Sequence, residues 1–338
     1  MRVPGETMEE LSRFNLVGKS PQFTQTVRRI HRLAQFDATV MIAGETGTGK
    51  ELAARAIHYL GGRTDKPFVP VNCGAISESL LESELFGHER GAFTDAKSAS
   101  IGLVGEAAGG TLFLDEVDTL SLKAQAALLR FLQDRTYRRV GGGGIRHVDV
   151  RIIVACNADL GLLANERRFR QDLLYRLNVL TLKMPALRDR EGDAVLIAQT
   201  MLQRLSHQYR LPLKRLNADG RDLLARHSWP GNVRELENVI HREFLLSEES
   251  ELDLRDARAE LLGELVVAAA VRTHESAIAF REAKARAVAE FERGYVSELL
   301  LRADGNISHA ARMASQDRSA FGKLVRKYGL TEEMQSSA

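Results

Sequence analysis

The sequence predicts an α/β domain built on a parallel sheet, followed by a small helical lid and a C-terminal all-α domain with a helix-turn-helix. Five short apolar runs rich in β-branched residues alternate with stretches of helical spacing up to about Pro185. Continuous apolar runs between helices are typical of a parallel sheet covered on both faces. From Asp193 onwards the spacing is helical, and two short helical stretches around a turn stand near the end of the chain.

The composition is that of a globular protein with a substantial core. The 338 residues allow two or three domains, and 44% of them are hydrophobic and 27% charged. The net charge is only +2, so a surface for nucleic acid has to be local. No segment is apolar and long enough for a signal peptide or a bilayer span, so we expect no membrane contact. Cys73 and Cys156 lie in apolar runs without metal-ligand spacing, which favours buried, reduced thiols in a cytoplasmic protein.

The predicted elements follow one another in a regular order. Helices are expected over residues 50–60 and 121–134, where apolar residues recur with helical spacing between the strands. The expected strands cover residues 38–44, 66–72, 110–116, 149–157 and 178–185.

Composition shifts divide the chain into four parts. The α/β core is expected over 15–186 and the helical lid over 187–247. An acidic stretch gives residues 248–275 the character of a linker. The helical C-terminal domain is expected over 276–331, with one long helix over 278–301.

The stretch GETGTGKE follows the first apolar run directly and opens a helix. Glycines in such a loop let backbone N–H groups surround phosphate oxygens, and the helix N-terminus adds its positive dipole end. Lys50 is expected to reach the terminal phosphates of a nucleotide. The Ser or Thr that usually follows this lysine is Glu51 here. The predicted nucleotide-binding residues of the loop are Gly44, Glu45, Thr46, Gly47, Thr48, Gly49, Lys50 and Glu51.

The run GGTLFLDEV ends in two carboxylates, Asp115 and Glu116, at the end of a predicted strand. Ligands of an open α/β sheet bind at the carboxyl ends of the strands. Asp115 suits a Mg²⁺ ion, directly or through water, and Glu116 suits orienting and polarising an attacking water. Alone, the pair is also compatible with a solvated turn; beside the phosphate-binding loop it predicts nucleotide hydrolysis.

Four motifs together resemble one family. The loop with Glu51 after Lys50, the LFLDE strand, FRQDLLYRLN over 169–178 and WPGNVRELENVI over 229–240 are similar to sigma-54-dependent transcriptional activators. These are bacterial AAA+ ATPases, and the resemblance is dense from about residue 17 to 240. It implies an AAA+ fold, ATP and Mg²⁺ as cofactors, and sigma-54 RNA polymerase as a partner.

The resemblance also assigns roles around the nucleotide. Asn72 matches a residue that holds the catalytic glutamate until the nucleotide state changes. Asn157 matches the first sensor position, and Arg234 the second sensor on the lid. Val17 and Gly18 resemble the turn on the adenine side.

Arg170 and Arg176 match the two arginines that reach into the site of a neighbouring subunit. A guanidinium there stabilises charge on the transferring phosphoryl group, an effect worth about 10³ to 10⁵ in rate. Arginines that act in the site of a neighbouring subunit imply a head-to-tail interface. Subunits joined in this way form either a closed ring or an open filament. The family forms hexameric rings, so we expect a hexamer.

The stretch GAFTDA carries a large ring on a polar loop. It resembles the family's GAFTGA loop, which contacts the sigma factor and couples hydrolysis to remodelling of the closed promoter complex. Phe93 and Thr94 are the expected contacts, since an exposed aromatic on a scaffolded loop commonly binds a partner. Asp95 replaces a glycine, which adds a negative charge and limits backbone freedom.

The segment DGNISHAARMASQDRSAFGKLVRKYGL reads as helix, turn and helix, with Asn306 and Asp317 as N-caps. It resembles the Fis-type DNA-binding domain of the same activators, whose second helix enters a major groove. Residues at the start of that helix are expected to contact bases, and the later basic residues phosphates. The predicted DNA-binding residues are Arg318, Ser319, Lys323, Arg326 and Lys327.

The sequence is compatible with two functions. One is an ATP-driven activator that remodels sigma-54 polymerase while bound to upstream DNA. The other is a nucleotide-gated DNA-binding regulator that does not use sigma-54. A chaperone-like unfoldase or clamp loader would share the fold but would not need the C-terminal helices. No receiver or ligand-sensing domain precedes Val17, so control is expected from a partner protein, from expression level or from a domain outside this sequence.

Overall fold

In the computed structural model, the chain consists of two compact units, Met1–Ala259 and Glu260–Ala338. The structure describes residues 13–93, 96–254, 257, 288–289, 292–293, 295–300, 302–303, 306–314 and 316–328.

The first unit is built on a five-stranded parallel sheet. Each strand lies inside one of the five predicted ranges, so the prediction of a parallel α/β sheet is confirmed. The strands are β1 (Val40–Ala43), β2 (Phe68–Asn72), β3 (Thr111–Asp115), β6 (Arg151–Cys156) and β7 (Leu180–Lys183). Their order across the sheet is β2-β3-β6-β1-β7.

The three inner strands β1, β3 and β6 are buried on both faces, whereas the edge strands β2 and β7 are only partly buried. In β3, Leu112 and Leu114 belong to one apolar cluster, while Phe113 between them belongs to a second. In β6, Ile152 and Ile153 divide between the same two clusters. Since successive side chains of a strand point to opposite faces, the continuous apolar runs follow from burial on both sides.

Helices cover the two faces, and several begin at a capping residue. Ser20 caps the first of these helices and Ser121 the fifth, each through its hydroxyl and a backbone amide of the first turn. The helices are α1 (Pro21–Ala34), α2 (Lys50–Tyr59), α3 (Glu78–Phe86), α4 (Gly102–Glu106), α5 (Leu122–Asp134), α6 (Leu160–Asn165) and α7 (Gln171–Leu177).

A hairpin-like segment stands between α5 and β6. Its short strands β4 (Thr136–Tyr137) and β5 (Arg146–His147) pair antiparallel and flank the glycine-rich stretch 141–144. Val140 of this segment donates to the carbonyl of Gly87 at 2.9 Å, and its own carbonyl accepts from the amide of Glu89 at 3.0 Å. The segment is therefore tied to the loop that carries Phe93.

The lid consists of α8 (Asp193–Tyr209), α9 (Ala218–Arg226) and α10 (Asn232–Leu246). The sequence predicted only helices here, but the lid also contains a small parallel pair. Its strands are β8 (Arg215–Leu216) and β9 (Glu251–Leu252), and the second lies within the predicted linker. Between α9 and α10, Trp229 is buried and its indole N–H donates to the carbonyl of Leu224 at 3.0 Å.

The described part of the second unit is helical. α11 (Ile307–Met313) and α12 (Arg318–Lys327) begin at Asn306 and Asp317, whose side chains accept from first-turn amides as the sequence predicted. Most of the predicted long helix 278–301 lies outside the described residues, although 295–300 are helical. The core of this unit consists of Val296, Leu299, Leu300, Ala303, Ala310, Ala311, Phe321 and Val325.

Within the described ranges, no helix combines the length and the apolar character that crossing a membrane requires.

Candidate functional site

A cleft of about 390 Å³ opens where the strands β1, β3 and β6 end and the lid begins. This is the edge at which open α/β sheets bind ligands. The core lines it with residues 46–52, Asp115, Glu116 and Asn157, the N-terminal segment with residues 15–17 and Phe23, and the lid region with Arg190, Ile197, Thr200, Met201, Arg204, Val233, Arg234 and Glu237.

Lys50 is the first residue of α2 and is held by three acceptors. Its Nζ donates to the carbonyls of Gly44 at 2.9 Å and Glu45 at 3.0 Å, and to Oδ1 of Asn157 at 2.6 Å. Burial lowers the pKa of Lys50 below its usual value, while Asp115 nearby opposes that shift. The predicted loop lysine and the predicted sensor asparagine are therefore in direct contact.

Gly47 lies where the loop meets the lid. Its φ is +78°, and a Cβ at this position would lie 2.2 Å from the carbonyl oxygen of Gly231. The carbonyl of Gly47 accepts from the amide of Val233 at 3.0 Å. A side chain is excluded here by both backbone conformation and contact, so this glycine allows the lid to dock.

Asp115 is the last residue of β3, and Glu116 follows it directly. Oδ1 of Asp115 accepts from the amide of Glu116 at 2.9 Å, and burial raises the pKa of Asp115. Glu116 has φ 55° and ψ 44°, a left-handed conformation that non-glycine residues adopt at a cost of about 1–3 kcal/mol. This conformation turns the chain sharply where both carboxylates line the cleft.

Asn72 lies at the end of β2, next to β3. Its Oδ1 accepts from the amides of Gly74 at 2.8 Å and Ala75 at 3.2 Å. A Cβ on Gly74 would lie 2.6 Å from Oε2 of Glu116 and 3.3 Å from Oδ1 of Asn72. Both side chains thus lie close to this glycine, and the Asn72 oxygen is used within its own turn.

Asp118 was not predicted from the sequence. Its Oδ1 accepts from the amide of Asn157 at 3.1 Å and its Oδ2 from the amide of Ala158 at 3.4 Å. It therefore fixes the backbone that presents Asn157 to Lys50. Its contacts lie about 40 residues away in the chain, so no local spacing indicates this role.

Glu45, in the phosphate-binding loop, turns towards the lid. It forms a two-point ion pair with Arg188, with Nη1 to Oε2 at 2.8 Å, and accepts from Nδ2 of Asn232 at 3.1 Å. Hydrogen bonding to Arg188 is the main reason that the pKa of Glu45 falls to about 2. Asn232 also donates to the carbonyl of Thr46 at 3.0 Å and accepts from the amide of Leu187 at 2.8 Å. Arg188 and Asn232 were not predicted as site residues.

Of the predicted adenine-side residues Val17 and Gly18, only Val17 belongs to the described lining of the cleft. Val17 lines the cleft, and its carbonyl accepts from Arg190 Nη2 at 2.5 Å. A Cβ on Gly18 would lie 2.5 Å from atoms of Arg190, Asp193 and Phe23, so only glycine fits. The predicted adenine-side turn therefore packs tightly against the first turn of the lid.

Arg170 and Arg176 stand at the two ends of α7. Among the described residues, they are not part of the lining of the cleft. Arg170 is exposed and pairs with Asp172 at 2.8 Å, and Arg176 donates to the carbonyl of Leu132 at 3.1 Å. The chain does not bring them to its own nucleotide cleft.

Phe93 stands in the loop between α3 and α4 with 37% of its surface exposed. Its ring contacts His88 edge-on, with centroids 5.0 Å apart. Gly141 of the hairpin-like segment packs against Ala92 of the same loop. The other predicted contact, Thr94, lies outside the described residues, as does Asp95.

In the second unit, Arg318, Ser319, Lys323 and Arg326 are exposed on α12. Lys327 differs from them because its Nζ is 2.8 Å from Oε2 of Glu292. The hydroxyl of Tyr328 donates to the same oxygen at 2.7 Å, and these bonds lower the pKa of Glu292.

The donors at the cleft fit a Mg²⁺ ion held together with a nucleotide. Proteins usually bind Mg²⁺ through one or two carboxylates, water and substrate phosphates. Asp115 supplies such a carboxylate, and Glu51 lines the same cleft. In the part of the chain that is described, no group of three or more His, Cys, Asp or Glu side chains forms a metal cage.

The parallel sheet, the glycine-rich loop after β1, the acidic end of β3 and the helical lid define an AAA+ protein. Comparison with known proteins then gives the family. Residues 16–183 match the Sigma-54 interaction domain, and residues 188–272 match the AAA+ ATPase lid domain. The chain belongs to the sigma-54-dependent transcriptional activators.

Three relatives illustrate the similarity. The transcriptional regulatory protein ZraR of Escherichia coli (strain K12) is 50% identical over 235 residues, which cover 70% of this chain and 53% of that protein. ZraR of Salmonella typhimurium is 42% identical over 316 residues, covering 93% and 69%. The crystal structure of NtrX from Brucella abortus in complex with ATP has a TM-score of 0.71 and 34% identity, covering 93% of this chain and 69% of that chain. The matches thus span between 53% and 69% of the length of these relatives.

Proposed function

We propose that this chain is an ATP-hydrolysing, DNA-binding activator that remodels sigma-54 RNA polymerase through the loop that carries Phe93. The observation that carries the proposal is the cleft itself. There Lys50 and Asn157 are in contact, and Asp115 and Glu116 line the same space. We also propose that the core covers residues 15–186 and the lid residues 187–247.

In the proposed reaction, the glycine-rich loop cradles the phosphates and Lys50 binds the terminal ones. Glu116 accepts a proton from the water that attacks the γ-phosphate, and ADP and phosphate leave. A Mg²⁺ ion held by Asp115 would neutralise charge on the phosphate oxygens. Asn157 and Arg234 contact the nucleotide from the core and the lid. The Arg234 position on the cleft wall supports this role.

Hydrolysis is proposed to require a second subunit. Arg170 and Arg176 lie outside the described lining of their own cleft, which supports a role in a neighbouring one. Asn72 would then relay the nucleotide state from Glu116 to the loops beyond β2. A closed hexameric ring satisfies this head-to-tail arrangement.

The proposed partner contacts belong to different units of the chain. Phe93 and Thr94 engage the sigma factor, and the exposure of the Phe93 ring supports this. Arg318 and Ser319 read bases from the start of α12, while Lys323, Arg326 and Lys327 neutralise phosphates of double-stranded DNA.

Transcription from a sigma-54-dependent template, with ATP or a non-hydrolysable analogue, tests the proposal. We expect open complexes only with ATP. Phe93→Ala should abolish them while ATP hydrolysis continues, and Phe36→Ala, an exposed phenylalanine away from the loop, should leave them unchanged. Normal transcription by Phe93→Ala would reject the loop assignment. DNA binding without any response to sigma-54 polymerase would favour a nucleotide-gated regulator.

A further inference from the structure

A buried ion pair joins the lid to the wall of the cleft. Arg190 follows a 3₁₀ turn and Asp193 begins α8, with Nε of the arginine 3.0 Å from Oδ2 of the aspartate. They are 3% and 1% exposed. Charged residues are seldom buried this completely unless they are paired and hydrogen-bonded.

Asp193 binds the N-terminal segment as well as Arg190. Its Oδ1 accepts from the amides of Lys19 at 2.6 Å and Ser20 at 3.0 Å, and its Oδ2 accepts from the Ser20 hydroxyl at 2.9 Å. These partners lie more than 170 residues away in the chain. The carboxylate therefore fixes the end of the turn that begins at Val17.

Arg190 binds the beginning of the same turn. Its Nη2 donates to the carbonyl of Val17 at 2.5 Å, and its guanidinium lies 3.9 Å above the ring of Phe23. Val17, Phe23 and Arg190 itself line the cleft. The planar guanidinium of Arg190 thus connects the lid, the turn that begins at Val17 and the wall of the nucleotide cleft.

Arg188, only two residues earlier, provides a contrast. Its pair with Glu45 reaches the phosphate side of the cleft, and both side chains are 44% exposed. Exposed pairs are weak and screened by salt, whereas removing one partner of a buried pair leaves an uncompensated charge. The base side is therefore joined to the lid by a buried pair, and the phosphate side by an exposed pair that water can replace.

We propose that Arg190 and Asp193 are positioning residues for the nucleotide: they hold residues 17–20 against the first turn of α8, so that the base-side wall and the lid move as one piece. This inference rests on the proposed binding of ATP in the cleft. Arg190 acts through the Val17 carbonyl and the Phe23 ring rather than on the phosphates. Its loss should therefore affect ATP affinity and KM more than kcat.

The central variant is Arg190→Lys, which keeps a positive charge for Asp193 but loses the planar fork that spans Asp193 and Val17. Its matched control is Arg226→Lys, in the same lid, where the arginine is 80% exposed and pairs with Asp222. Arg190→Met with Asp193→Leu removes both charges and so leaves no unpaired one.

Trp229, the only tryptophan of the chain, reports whether the lid remains folded, because it is buried between α9 and α10. ATP is titrated calorimetrically into each variant without Mg²⁺, so that hydrolysis adds no heat, and Trp229 emission and steady-state hydrolysis with Mg²⁺ are recorded. We expect Arg190→Lys and the double variant to keep the parental emission while the Kd for ATP rises about tenfold or more, as loss of a charge-assisted hydrogen bond predicts.

The inference would be overturned if the Kd of Arg190→Lys for ATP were within about twofold of that of Arg226→Lys while the Trp229 emission stayed unchanged. It would also be overturned by a loss of binding that merely follows exposure of Trp229 in both Arg190 variants, since the pair would then only hold the lid together. Absence of ATP binding by the parent and by Arg226→Lys would instead reject the proposed function.

Discussion

Glu45 illustrates how a single side chain can act differently from the motif that contains it. A carboxylate beside bound phosphates would repel them, yet the residue lies inside the phosphate-binding loop. The structure turns it away to Arg188 and Asn232, so its charge is neutralised by the lid. The loop thus provides both the phosphate cradle and an attachment point for the lid.

We expect Glu45→Gln to loosen the lid and to lower the Tm by about 1–4 °C, as an exposed pair worth about 0.5–1 kcal/mol implies. The effect should shrink in about 1 M salt, where the Debye length is about 3 Å. Thermal unfolding followed by Trp229 fluorescence measures it, with Glu166→Gln, in another exposed pair, as control. A decrease that is equal at low and high salt would contradict an electrostatic role.

The pH dependence of the same pair has a definite sign. Pairing lowers the pKa of Glu45 from 4.5 to about 2, so the ionised carboxylate stabilises the folded state above pH 4.5. This contribution is lost as the pH falls towards 2. Between pH 7 and 5, the difference in Tm between the parent and Glu45→Gln should therefore stay constant.

The two cysteines confirm the sequence prediction of buried, free thiols. Burial raises the pKa of both Cys73 and Cys156 to about 12. At neutral pH the thiolate form, which reacts with oxidants and metals, is therefore scarce at either site.

Among the elements, the Phe93 loop and the hairpin-like segment are joined by backbone hydrogen bonds between Gly87, Glu89 and Val140. Glu89 also pairs with Arg139 at 3.0 Å. We therefore expect a displacement of the Phe93 loop to move the hairpin-like segment with it.

Gly141 is the tightest point of this contact. It has φ +75°, and a Cβ there would lie 2.8 Å from Cβ of Ala92. We expect Gly141→Ala to cost about 1–3 kcal/mol locally and to reduce open-complex formation while ATP hydrolysis persists. Gly143→Ala is the control, because a Cβ at that position meets nothing within 4 Å. Equal transcription by the two variants would contradict coupling through this contact.

The inner strands β1, β3 and β6 could be predicted because a strand buried on both faces leaves a continuous apolar run in the sequence. The edge strands β2 and β7 are only partly buried but also stand in short apolar runs. The phosphate-binding loop could be predicted because its function needs adjacent residues in one turn. The pair β8–β9 could not, since two-residue strands carry no periodicity. Asp118, Arg188, Arg190 and Asn232 also escaped prediction, because each acts through partners brought close only by the fold.

At the scale of the whole molecule, the proposed ring can be tested by mixing two inactive variants. Arg170→Ala keeps its own cleft intact, and Glu116→Gln keeps its arginines. In random rings formed from equal amounts, about a quarter of the interfaces join an intact cleft to an intact arginine, so part of the ATPase activity should return.

A mixture of Glu116→Gln with Lys50→Ala is the control for this experiment. Both changes damage the cleft, so no interface in the mixed ring regains a complete site. ATP hydrolysis is measured before and after each pair of variants is mixed. If the Arg170→Ala mixture stays inactive although rings form, the arginine does not act in trans.

The three hydrogen bonds of the Lys50 ammonium have a consequence for how the protein detects its nucleotide. An ammonium has three protons to donate, and here two backbone carbonyls and the Asn157 amide oxygen accept all of them. A phosphate oxygen that accepts a hydrogen bond from Lys50 must therefore displace one of these acceptors. If the phosphate oxygen displaces Asn157, the segment after β6 loses its hydrogen bond to Lys50 when the nucleotide binds. The phosphate and Asn157 then compete for the same ammonium, and this competition detects the triphosphate without a separate sensing site.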